Sequence, residues 1–399
     1  MSKRAGGGAG GLEPLIFAVL QGCAYNRPDM SMESLPSRTP RQRAEYCRQR
    51  LSELGLDGYW VVSHANVRYL SGFAGGDSTL LVNRERSVLI TDSRFEEQAQ
   101  QEAAVDEIVC RRKGMAATVA TLCRKMGLRR ITVTARHVSH ADWVTLTGEL
   151  PAAKVEASAA GLADRMRMRK SREEAEAIVA ATKAAEDGFR RFLGKVEAGR
   201  SEKWLAATLE WEMKAAGAEA AAFETICAVD ERASLPHAVC TGRQLGAEST
   251  LLVDWGARLE GYHCDLTRVV GVSTMPPRIA ELSQVVLEAQ QAAFDRLKPG
   301  VPCCEVDQAA RTVIARAGYG HHFGHSLGHG VGLEVHELPR LGAGEKEMLL
   351  PGMVVTVEPA VYLPGVGGVR VEDLVIVTES GHEVISSLDK LPCGDCGSS

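Results

Sequence analysis

No stretch of this 399-residue chain carries the roughly 20 consecutive apolar residues that a membrane-spanning helix needs. The run Leu15-Ile-Phe-Ala-Val-Leu20 is far too short. Nor is there an excess of one sign of charge. Lys and Arg number 46 against 51 Asp and Glu, a net charge of −5 with a pI near 6.2. That balance offers nucleic acid or an anionic membrane surface nothing to hold. Eleven cysteines are too sparse and too unevenly placed for a secreted disulfide scaffold. Cys110, Cys123, Cys227 and Cys240 each stand alone in apolar segments and read as reduced core thiols of a cytoplasmic protein. Collagen, coiled coil and wholesale disorder are excluded with them. What remains, 45% hydrophobic and 24% charged residues, is the balance of a globular chain able to bury a sizeable core. The length suggests two or three domains.

Composition divides the chain. Residues 1–40 read as a disordered leader: a Gly/Ala run, the short apolar run, then a Pro- and Ser-rich stretch. Lys3, Arg4 and Leu20-Gln-Gly-Cys23 resemble a lipoprotein signal faintly, but Glu13 and Pro14 break the approach and the apolar core is too short. Met30 and Met32 are alternative starts. Residues 41–165 alternate helical and strand patterns: a helix over 41–54, strands over 58–62, 79–82 and 87–91, a helix over 95–102. Such alternation predicts an α/β domain. The basic run Arg165-Met-Arg-Met-Arg-Lys170 reads as a solvated linker.

Residues 166–391 read differently. Ser171 and Glu174 have the form of a capping box opening a helix from 172 to about 195. A second helix is expected over 202–216. Antiparallel strands follow over 226–229, 250–253, 262–265 and 354–357, interrupted by helices over 278–297 and 303–318. Segregated elements of this kind predict an α+β domain. A tail, 392–399, carries Cys393-Gly-Asp-Cys396, one CxxC without a second pair and hence an incidental one.

The chemistry lies between His237 and Glu372. Leu251-Leu-Val-Asp254 and Tyr262-His-Cys-Asp265 flank a turn sequence, and a hairpin centred between Leu259 and Glu260 sets Asp254 opposite Asp265. Val354-Val-Thr-Val-Glu358 and Val369-Arg-Val-Glu372 flank Pro364-Gly365, and a hairpin centred on Gly365 sets Glu358 opposite Glu372. Like charges facing each other persist only around something positive. Between the hairpins runs a Gly-rich segment holding His325, His329 and His336. Four carboxylates and an imidazole favour hard to borderline divalent ions: manganese, cobalt or zinc.

In the order Asp254, Asp265, His329, Glu358 and Glu372 the chain resembles the pita-bread metallopeptidases of family M24, in particular the Xaa-Pro aminopeptidase and prolidase branch. Residues 41–165, with Asn66-Val-Arg-Tyr-Leu-Ser-Gly-Phe73, resemble the creatinase/prolidase amino-terminal domain of these enzymes. The resemblance implies two divalent ions, manganese first and cobalt or zinc as alternatives. Asp254 would chelate one, His329 and Glu358 the other, and Asp265 and Glu372 would bridge both. A hydroxide between the ions would attack the scissile carbonyl, with Glu358 accepting and shuttling the proton. His336 would stabilise the oxyanion. His237 and His325 would contact substrate around proline, with His325 the mark of proline-directed members, and Arg370 would orient Glu372. Peptides with proline in the second position would be the substrates and a homodimer the assembly, with no nucleic-acid or membrane partner. The expectation is an aminopeptidase. A strict Xaa-Pro dipeptidase (prolidase) is the alternative within the class, and a non-catalytic pita-bread binding module the alternative outside it.

Overall fold

The computed structural model describes residues 38–391. The leader and start-site readings before residue 38, and the tail with its Cys393/Cys396 pair, lie outside the described residues. The described chain has the expected succession, an α/β unit and then an α+β unit.

The first unit is a six-stranded mixed sheet: β1 (Gly58–Val61), β2 (Thr79–Asn83), β3 (Ser87–Thr91), β4 (Glu107–Cys110), β5 (Arg130–Thr134) and β6 (Lys154–Ser158), in the spatial order β4-β3-β2-β1-β5-β6. Alternation along β1 explains why it is apolar throughout. Tyr59 and Val61 enter one core with Leu80 and Leu89, while Trp60 enters the other with Leu81 and Ile131. The segment beginning at Asn66 lies in a helix, His64–Ser71, capped by Ser63 and closed by Gly72.

The basic run is not a solvated linker. Arg167 ends the helix Leu162–Arg167 at 2% exposure, and Lys170 is equally buried. Their partners come from far along the chain: Lys170 Nζ donates to Glu337 Oε1 at 2.8 Å, and Arg167 pairs with Glu334 at 2.8 Å and with Glu337. Arg167 also donates to Asn66 Oδ1 at 2.8 Å, which ties this junction to the first unit.

The second unit is built twice over on one plan. The helices Arg172–Leu193 and Glu202–Ala215 precede β7 (Ala220–Ala221), β8 (Ile226–Val229), β9 (Thr250–Trp255), β10 (Ala257–Leu259), β11 (Tyr262–His263) and β12 (Leu266–Gly271). The helices Pro277–Arg296 and Cys303–Arg316 precede β13 (Gly328–Gly330), β14 (Glu337–Leu341), β15 (Val354–Val357), β16 (Ala360–Leu363), β17 (Gly367–Arg370), β18 (Asp373–Val377) and β19 (His382–Val384). The capping box of Ser171 and Glu174 is present at the first helix start. Leu251 and Val253 pack toward the first helix pair and Leu252 toward the second, so the strands lie between the pairs.

Register decides where the acids go. In the second hairpin Val357 pairs with Asp373 and Ala360 with Arg370, so Glu358 and Glu372 fall opposite each other at the break between the ladders. In the first hairpin the expected pairing does not form. The turn is Glu260-Gly261, with φ of 48° and 72°, because a two-residue turn of this hand places glycine second. Leu259 therefore pairs with Tyr262, and Asp254 faces Thr267 instead of Asp265. Asp265 stays on the same face, one diagonal step away, because the slip is an even number of residues.

Candidate metal centre

Three strands converge on one point. Thr267 lies opposite Asp254 in the β9–β12 ladder and also bridges to Glu372, whose N–H donates to the Thr267 carbonyl at 3.2 Å. The two hairpins are thus joined at Thr267. His329 arrives on β13, squeezed between β14 and β15. Gly328 and Gly330 permit this approach: a Cβ on Gly328 would stand 2.0 Å from the Thr356 carbonyl oxygen, and one on Gly330 2.3 Å from that of Leu338.

The nine side chains singled out in the sequence all line one cavity of about 1050 Å³. Among them, one ligand atom each from Asp254, Asp265 and Glu372 lies within 4.8 Å of the others, as do those of His329, Glu358 and Glu372. Glu372 belongs to both groups. A third group joins Asp265, His329 and His336. His329 Nε2 stands 3.4 Å from Glu358 Oε1 and 3.7 Å from Asp265 Oδ2. Its Nδ1 lies 3.1 Å from the Gly330 carbonyl, which as acceptor fixes the proton on Nδ1 and turns Nε2 into the cluster as a lone pair.

Burial pushes the carboxyls of Asp254, Asp265, Glu358 and Glu372 upward, Glu358 to about 8. For Asp265 and Glu372 the neighbouring acids add to that rise. Burial also drives His325 and His329 down to about 4, so both imidazoles are neutral at physiological pH. Arg370 is the cation bonded to this set among the described residues. It pairs with Asp254, donates from Nε to Thr267 Oγ1 at 3.0 Å, and donates from Nη1 to the Pro236 carbonyl at 3.2 Å. One guanidinium does not balance four carboxylates. Asp254 Oδ1, buried, has no hydrogen-bond partner. An orphaned acid oxygen, an excess of buried negative charge and a neutral imidazole lone pair together fit divalent cations.

Sequence reasoning missed Tyr362. Its hydroxyl accepts from Arg370 Nη1 at 2.6 Å and lies 3.2 Å from His325 Nε2, bridging two residues that had been selected separately. A signal was available: Tyr362 is two residues from Ala360, which pairs with Arg370, so both side chains share a face of the β16–β17 ribbon. Thr356 was also missed. Its hydroxyl donates to Glu358 Oε1 at 3.2 Å and accepts the His329 N–H at 3.1 Å. His237 stands at the exposed rim of the cavity, on the loop after β8.

Known proteins share both units of this fold. The family model described as Metallopeptidase family M24 matches residues 176–379, and the Creatinase/Prolidase N-terminal domain matches residues 43–169. An Xaa-Pro dipeptidase of Pyrococcus furiosus is 31% identical, over 88% of this chain and 99% of its own. Among solved structures, an Xaa-Pro dipeptidase from Bacillus anthracis superposes with a TM-score of 0.83 at 33% identity, covering 89% of this chain and 100% of that one. An X-Pro aminopeptidase from Thermotoga maritima superposes at 0.78 with 34% identity, covering 86% and 99%.

Proposed function

The chain belongs to metallopeptidase family M24, and on that footing we propose that it is a divalent-metal-dependent Xaa-Pro dipeptidase. The carrying observation is the pair of ligand groups that share Glu372. Names among the relatives support the dipeptidase over the aminopeptidase expected from the sequence, since the Pyrococcus furiosus and Bacillus anthracis proteins are Xaa-Pro dipeptidases. The Thermotoga maritima structure keeps the aminopeptidase as a second reading.

Asp254, Asp265 and Glu372 would hold one ion and His329, Glu358 and Glu372 the other, with Asp265 also within reach of His329. Divalent ions in such a set supply Lewis-acid polarisation of a carbonyl and a water of lowered pKa. Glu358 is the proton carrier. Thr356 occupies its Oε1, leaving Oε2 toward His325 Nδ1 at 3.8 Å. A carboxylate within reach of the attacking water and of the leaving nitrogen would take a proton from the one and return it to the other. His336, its ring centroid 4.3 Å from that of His329, would donate an N–H to the oxygen that gains charge. Neutral imidazole suffices for that, and burial lowers its pKa. His325, held against Tyr362, and His237 at the rim would bracket the proline ring. Arg370 neutralises Asp254 and, through Thr267, steadies Glu372.

The test uses full-length protein stripped of metal and reloaded with manganese. Hydrolysis of Ala-Pro is compared with that of a longer Ala-Pro peptide. Cleavage confined to the dipeptide is the expected result. Release of alanine from the longer peptide would make the chain an aminopeptidase. Activity on neither, with metal bound, would return the protein to the binding-module class.

A further inference from the structure

Cys227 and Cys240 are not the isolated core thiols that the sequence suggests. They meet at the wall of the same cavity. Cys227 lies on β8 and is wholly buried, while Cys240 is half-buried and lines the cavity. The Cys227 backbone N–H donates to Cys240 Sγ at 3.2 Å, and the same sulfur lies 3.7 Å from the Cys227 carbonyl oxygen, so the Cys240 side chain is seated directly against Cys227. In its thiol form Cys240 donates to the Thr225 carbonyl at 3.3 Å. The pair closes the loop that carries His237 and Pro236, the residue whose carbonyl accepts from Arg370.

We propose that Cys240 is a peroxide-reactive thiol at the mouth of the site, and that Cys227 resolves its oxidised form into a disulfide that constrains the His237 loop. The two thiols are suited to different roles. Hydrogen bonding to Cys227, its backbone N–H included, draws Cys240 from 9.0 down to about 7 against the effect of burial, which favours the thiolate. Burial pushes Cys227 well above 9.0, which keeps it a thiol until it is called on. The Cys240 sulfur attacks one oxygen of hydrogen peroxide. An S–O bond forms, the O–O bond breaks, and hydroxide leaves as water after taking a proton. The Cys227 sulfur then attacks the sulfenic sulfur. The S–S bond forms, the S–O bond breaks, and the Cys227 proton departs with the hydroxyl as a second water. Two thiols have lost two electrons and peroxide has gained them.

The test treats the full-length, metal-loaded enzyme with stoichiometric hydrogen peroxide. A Cys227–Cys240 cross-linked peptide is expected by mass spectrometry, with bound metal unchanged. The kcat/KM for Ala-Pro should fall about tenfold, the scale on which a displaced substrate contact acts, and dithiothreitol should restore it. Cys240→Ser, compared with its own untreated sample, should resist the loss. In Cys227→Ser the Cys240 sulfenic acid should persist and be captured by a cyclic diketone as a mass increment. Absence of the cross-link, or an equal loss in Cys240→Ser, overturns the proposal, and a cross-link without kinetic effect overturns the loop constraint. The mapping needs no turnover, so failure of the dipeptidase reading would leave the dithiol standing.

Discussion

Glu372 and Asp373 are consecutive, both buried, and enclosed by opposite surroundings. Asp373 receives Arg268 Nη2 at 2.8 Å, Gln290 Nε2 at 2.8 Å and Ser386 Oγ at 2.6 Å, and it pairs with Lys390. Burial works to raise its pKa, yet Arg268 and Lys390 overcome it and hold the carboxyl below the usual range. Glu372 accepts from Thr267 Oγ1 at 2.6 Å, and burial together with the acids Glu358 and Asp254 outweighs Arg370, so its carboxyl is pushed the other way. The contrast recurs at Glu337, gripped by Lys170 and Arg167, beside His336 of the cavity. Buried acids that the chain neutralises itself are structural. Buried acids that it leaves short of positive charge are a site awaiting cations.

Substitution on each side should separate the two kinds. Glu372→Gln should bring turnover to background and abolish tight metal binding, read by metal analysis after gel filtration, while the fold stays intact by circular dichroism. Asp373→Asn should destabilise the protein by about 3–5 kcal/mol in denaturant titration, because Arg268 is left buried without its partner. An unstable Glu372→Gln, or a metal-depleted but fully stable Asp373→Asn, would break the comparison.

The next effects are smaller and lie within the site. His336→Ala should keep both metal content and fold, yet lose about 100- to 1000-fold in kcat, the usual cost of one donor to a developing oxyanion. Loss of metal instead would make His336 a ligand, as its grouping with Asp265 and His329 permits. Thr267→Val removes the hydroxyl that donates to Glu372 and accepts from Arg370. It should weaken metal affinity about 10- to 100-fold, measured by competition with a chelating dye. An unchanged affinity would mean that Glu372 needs no outer partner.

How much of this was legible follows from the distances over which each feature is encoded. The Glu358 and Glu372 register could be read because the loop is symmetrical about Gly365, a local property. The Asp254 and Asp265 register was misread by an equally local property, the preference for glycine second in a two-residue turn, which moves the axis to Glu260-Gly261. The helix from Arg172 was legible in its capping box. Arg167 and Lys170 were not, because a basic run carries no mark of acids at Glu334 and Glu337, which only the tertiary fold brings to it. Strands β4, β5 and β6 all escaped notice: β4 and β6 are half-buried edge strands, whereas β5 is interior, and its buried Ile131 and Val133 were a signal left unread. Tyr362 and Thr356 needed ladder pairings, and so did Cys240, which the chain sets against Cys227 only once β8 is in place.

Acidity should divide the two regions in the opposite sense from mutation. Glu358 is raised from 4.5 to about 8 in the folded chain, so without metal its contribution to stability is complete below about pH 4.5 and is lost as pH rises through 8. Asp373 is lowered from 3.8, so its contribution is present above that value and is lost as pH falls below it. The melting midpoint of the metal-free protein should therefore decline toward alkaline pH because of the cluster, and decline in acid because of Asp373. Manganese replaces the protons that the cluster would otherwise hold, so it should raise the midpoint more at about pH 8 than at about pH 5.5. Glu358→Gln should flatten the alkaline fall and leave the acid limb in place. A metal-free midpoint that climbs from neutral to alkaline pH would mean that the four carboxylates are already balanced within the chain, and the distinction between Glu372 and Asp373 would collapse.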